Sequence, residues 1–134
     1  MDVILVIGRV LFAAIFIASG IAHFRQADAM AGYAAHKGAP GGKAGVLFSG
    51  VVFLLGGLSI ALGIYPDLGA LVIAAALIPV SYFMHAFWKE TDPMAAQAEN
   101  ASFMKNVALI GAALVFFAVF QQYGVDAGVI SDPL

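Results

Sequence analysis

The sequence predicts an all-α protein, a bundle of four transmembrane helices with almost no mass outside the bilayer. Three observations predict it. Hydrophobic residues are 63% of the 134 and charged ones 10%, with a mean hydropathy of +0.98, too little charge to cover a soluble domain of this size. The apolar residues run in unbroken blocks, each long enough for a hydrocarbon core of roughly 30 Å, which takes about 20 helical residues. They also lack the alternation that barrel strands with a lumen would show. Residues 1–134 therefore read as one integral membrane domain.

The first span covers about 3–24, and a polar, Gly- and Ala-rich connection follows from Arg25 to Lys43. Met30, Tyr33 and Ala34 suit a short interfacial helix before the turn at Ala39-Pro40-Gly41-Gly42. The second span covers about 44–64, and Tyr65-Pro66-Asp67 reverses the chain. The third covers about 68–88 with Pro79 inside it. A second polar connection holds Lys89 to Pro93, with Asp92-Pro93 as a turn, and continues to Ser102. The fourth span covers about 103–123, before a short acidic tail. Pairs of small residues four apart, such as Gly45/Ser49 and Ser59/Gly63, suit close helix packing.

Arg25, Lys37, Lys43, Lys89 and Lys105 all fall on one face, whereas Asp2, Asp67, Asp126 and Asp132 fall on the other. The positive-inside rule then puts both long connections in the cytoplasm and both termini on the non-cytoplasmic side. Gly20-Ile21-Ala22 has the form of a cleavage site, but Met1-Asp2 is acidic and Arg9 interrupts the apolar stretch. The first segment is expected to be retained. A net charge of −2 and the lack of a basic stripe argue against nucleic acid as a partner. With no cysteine, disulfides, thiolate catalysis and iron–sulfur ligation are excluded.

Residues 62 apart match at three polar positions, Ser19/Ser81, His23/His85 and Lys43/Lys105. Either a two-helix unit was duplicated, both copies keeping one orientation, or interfacial His and Lys simply recur at headgroup level. In both cases the few polar residues fall into two layers. The outer layer centres on Arg9, roughly 10 Å below the start of the first span. Arg9 either snorkels to lipid phosphates or caps a carbonyl, or it meets Asp67 or an anionic or carbonyl-bearing ligand such as a quinone head group. The inner layer holds His23, His85, Trp88, Lys105 and Asn106. The histidines suit an interfacial structural role, proton or quinone handling, or, less readily, haem ligation. Trp88 suits an aromatic belt, and Glu99-Asn100 lies within reach of Lys105. No nucleophile triad, phosphate loop, dinucleotide fingerprint or metalloprotease helix occurs, and no metal site is expected.

Gly8-Arg9, Leu11-Phe12 and Phe16-Ile17-Ala18-Ser19-Gly20-Ile21-Ala22-His23 resemble the first-helix pattern of the DoxX family. His85-Ala86-Phe87-Trp88, then Asp92-Pro93 and Phe103-Met104-Lys105-Asn106, resemble that family's second signature. The resemblance implies a small four-helix protein of the bacterial or archaeal cytoplasmic membrane. Some members are described as subunits of thiosulfate:quinone oxidoreductase and others as partners in redox-defence assemblies. By carry-over Arg9, His23, His85, Trp88, Lys105 and Asn106 become the ligand- or proton-site candidates. The expected function is an accessory subunit of a larger membrane complex linked to quinone and electron transfer, with lipid and other membrane subunits, or further copies of the chain, as partners. The alternatives are a stand-alone transporter or quinone-binding oxidoreductase and a structural assembly factor.

Overall fold

The computed structural model describes residues 3–131 together with 133 and 134; Asp2 and Asp132, assigned above to the acidic face, lie outside the described residues. Five α-helices and no strand occur among them: α1 Val3–Arg25, α2 Ala27–His36, α3 Gly42–Leu62, α4 Pro66–Met84 and α5 Pro93–Tyr123. Four of the five are long and apolar enough to cross a membrane, while α2 is a short helix beside the first connection. Large apolar side chains such as Leu11, Phe48, Leu55, Ile78 and Val115 stand exposed around the bundle. In water such a surface would aggregate; in lipid it is the ordinary outside of a spanning domain.

α1 packs against α3, α3 against α4 and α4 against α5, with α2 lying on α3. Phe12 and Phe116, their ring centroids 5.0 Å apart, bring α1 and α5 together. Between the helices sit Phe16, Phe53, Ile60, Ile73, Leu77 and Phe120, each almost wholly buried. Apolar burial distinguishes little between lipid and protein neighbours, so close backbone approach has to hold the helices together. At the α1–α3 crossing a Cβ on Gly20 would stand 2.8 Å from the Leu54 Cβ, and one on Gly50 would stand 2.7 Å from that of His23. These two glycines let the helices meet at backbone distance, and Gly50 also sets where His23 lies.

Between α3 and α4 the chain reverses at Tyr65, whose φ of 45° is a left-handed conformation that costs a side-chain-bearing residue energy. The Ser59 hydroxyl donates to the Ile64 and Tyr65 carbonyls, and the Tyr65 N–H donates to the Ser131 hydroxyl, so the strained turn is held from both sides. Pro66 follows as the first residue of α4, where its missing N–H costs nothing.

Two expectations need correction. The polar stretch from Pro93 to Ser102 is helix rather than connection, so α5 runs unbroken for 31 residues. Asp92-Pro93 is its start: the Asp92 side chain caps the Ala95 N–H, and Pro93 takes the first helical position. Polarity marks where a helix leaves lipid, not where it ends. Conversely, α4 closes at Met84 rather than Trp88. His85 leaves the helix, and Phe87–Lys89 form one 3-10 turn whose Phe87 and Trp88 rings pack edge-on against Phe103.

Thermal unfolding in detergent should separate the glycines by their surroundings. Gly50→Ala forces the α1–α3 crossing apart and is expected to cost about 1–3 kcal/mol, as overpacking does. Gly111→Ala, with nothing within 4 Å of the added carbon, should leave the transition unmoved or raise it.

Candidate functional site

Four of the six residues singled out in the sequence converge. His23 ends α1, His85 follows α4, and Lys105 and Asn106 lie on α5; all four line one cavity of about 520 Å³. Its other walls are mostly apolar, with Phe16, Val46, Phe53, Leu77 and Leu109 among them, and Tyr33 of α2 stands at its side. The volume suits a small ring-bearing organic molecule.

Each polar group there is held differently. His23 Nδ1 lies 2.6 Å from the Ser19 carbonyl oxygen, one turn back on its own helix, and the ring edge meets Phe53. His85 Nδ1 lies 2.8 Å from Oε2 of Glu99. Asn106 is 4% exposed, yet no group among the described residues hydrogen-bonds its carboxamide. A buried amide without a partner is costly, and lining a cavity is the circumstance in which a ligand or water can satisfy it. Lys105 is exposed and has no ion-pair partner among the described residues; Glu99, expected near it, turns instead to His85 and Lys37.

Sequence reading missed the polar collar above this cavity. Lys37 Nζ stands 2.9 Å from Glu90 Oε1 and 3.2 Å from Glu99 Oε1, and the Tyr33 hydroxyl donates to Glu99 at 3.2 Å. One carboxylate thus ties α2, the His85 corner and α5 together. The available signal was Glu99 itself, a lone acid well ahead of the fourth apolar block that a connection would not have needed. The Glu90 carboxylate, working against burial and joined by Glu99 and Tyr33, holds the Lys37 ammonium well above the ordinary lysine range.

Trp88 and Arg9 stand elsewhere. Trp88 is half exposed among Tyr82, Phe87 and Phe103, a surface aromatic cluster beside the collar. Arg9 is buried at the opposite end and donates from Nη1 to the Ala127 and Gly128 carbonyls at 3.0 and 2.9 Å. It caps the last 3-10 turn, Gly124–Ala127, where a cation suits the negative end of the backbone dipoles. No ion pair joins it to Asp67 among the described residues. The Asp67 carboxylate accepts from Gln121 Nε2 at 2.7 Å and from the Leu134 N–H at 2.8 Å. The outer layer is therefore spent on pinning the tail.

The sequence model of one family, DoxX, matches residues 4–86, which takes in Arg9, His23 and His85 and stops short of Lys105 and Asn106. No curated protein and no solved structure matches the chain.

The Lys37 cluster has a pH signature. Its ammonium titrates higher in the folded chain than in the unfolded one. The stabilisation is therefore complete below the unfolded lysine value and is lost as pH rises through the folded one. Lys37→Gln should lower the melting temperature by a constant amount from neutral to mildly alkaline solution. The gap should close only in strongly alkaline solution, as calorimetry of the pair across pH would record.

Proposed function

The chain belongs to the DoxX family of membrane proteins, and from that premise we propose that it is an accessory subunit of a larger membrane complex that binds quinone in the cavity of His23, His85, Lys105 and Asn106. The observation that carries this reading is the convergence of those four residues on an apolar cavity within four apolar helices, with the Asn106 carboxamide unpartnered among the described residues. Quinone, when bound, supplies the carriage of two electrons and two protons. Asn106 and Lys105 provide donors for carbonyl oxygens, and the apolar walls exclude water around the ring. His85 can take up or release a proton at Nε2 while its Nδ1 stays on Glu99, which leads toward the basic end of the molecule. The electrons come from a partner subunit, in keeping with a chain that has no cysteine and no catalytic constellation of its own.

The same reading places the protein in a bacterial or archaeal cytoplasmic membrane, with the collar facing the cytoplasm and both termini outside. Two facts favour the duplicated unit. The α1/α3 pair shifted by 62 residues falls on α4/α5, and these two pairs make the most extensive helix–helix contacts.

Gentle extraction of the native protein should bring a second polypeptide with it, and lipid extraction of that particle should yield quinone. In nanodiscs, Asn106→Leu is expected to weaken short-chain quinone binding about tenfold, the loss of roughly one hydrogen bond. Trp88→Phe should leave binding unchanged. A lone particle without quinone, or an Asn106→Leu variant binding normally, counts against the reading.

A further inference from the structure

We propose that this cavity prefers the reduced, hydroxyl-bearing form of its ligand, a quinol, over the quinone; the inference rests on the quinone reading above and names the form that binds. The histidine tautomers decide which form fits. His23 Nδ1 lies 2.6 Å from a backbone carbonyl oxygen, which can only accept a hydrogen bond. The proton must then sit on Nδ1, so in the neutral ring Nε2 is a bare lone pair. His85 reaches the same state by another route. Its Nδ1 lies 2.8 Å from Oε2 of Glu99, and an ionised carboxylate likewise only accepts.

Both rings line the cavity. Neither Nε2 has a partner among the described residues, and neither is sealed from contact as Arg9 Nε and Asp67 Oδ1 are. Two helix ends therefore present acceptors to the ligand, each fixed by a bond on the far side of its ring. The Ser19 carbonyl and the Phe53 ring hold the His23 ring, Gly50 lies close to the His23 Cβ, and Glu99 holds the His85 ring.

A quinone oxygen facing such a lone pair leaves both acceptors unpaired, whereas a quinol hydroxyl donates to it and completes the bond. A site built to receive a hydroxyl discriminates against the analogue that lacks one. Asn106 offers a donor and an acceptor and so accommodates either form. Lys105 donates, but its exposed side chain can turn to solvent or headgroups and is not locked as the rings are. The fixed groups set the preference.

The test uses the full chain in nanodiscs under argon with three probes of one ring skeleton: a short-chain benzoquinol, the matching benzoquinone and the quinol dimethyl ether. Calorimetric titration should give the quinol about tenfold tighter than either of the others. His23→Phe and His85→Phe should each narrow the quinol-to-quinone ratio toward one. Quinone binding as tightly as quinol overturns the proposal while leaving the quinone site standing, and so does an ether that binds as well as the quinol. Failure of all three probes to bind overturns both. The three-probe comparison on the unaltered chain decides the matter even if a variant does not fold.

Discussion

Inside a bilayer a polar group has no water to turn to, so every buried donor or acceptor must find its partner within the protein. The whole molecule is arranged around that demand. Ser81 returns its hydroxyl to the Leu77 carbonyl, Ser59 closes the strained turn at Tyr65, and Arg9 and Asp67 hold the tail against the bundle. Ser59, Arg9 and Asp67 each finish a piece of backbone at a turn or in the tail, while Ser81 turns its hydroxyl back onto its own helix. Arg9 Nε and Asp67 Oδ1 are sealed without a partner as the cost of that arrangement, whereas the Asn106 carboxamide goes unpartnered among the described residues on the wall of a cavity. A buried polar side chain that closes backbone reads as structure; one left open on a cavity wall reads as a site.

The spans were legible because length and hydropathy decide them: blocks of about 20 apolar residues have no soluble alternative. The inner layer was legible too, since His23, His85, Lys105 and Asn106 are the few polar residues at a common depth. The ends of helices were not. Backbone hydrogen bonding continues through a polar stretch as readily as through an apolar one, so α5 extends to Pro93. The apolar run at Ala86-Phe87-Trp88 turns away instead to reach Phe103. Nor was the collar legible, because Lys37 and Glu99 lie far apart in sequence and meet only after α2 folds back onto α3.

The two layers also divide the labour differently than depth alone suggests. Arg9 and Asp67, the two most deeply buried charges among the described residues, are both committed to the tail without touching each other, Arg9 through Nη1 and Asp67 through Oδ2, while Arg9 Nε and Asp67 Oδ1 stay sealed and unpaired. The groups at the other end, from the exposed Lys105 to the buried Asn106, keep free valences among the described residues: an unbonded ring nitrogen on His23 and on His85, an idle carboxamide, a loose ammonium. Burial measures the cost of a polar group, and spare bonding capacity on a cavity wall measures its availability.

The unbroken length of α5 ties these regions mechanically. Glu99 and Asn106 sit seven residues apart on it, two turns or roughly 10 Å along the axis and on nearly the same side. No hinge lies between them, so the rod that carries the clasp for α2 is the rod that carries the amide wall of the chamber. Lifting the clasp without tilting the wall would require a break in a helix that has neither glycine nor proline in that stretch.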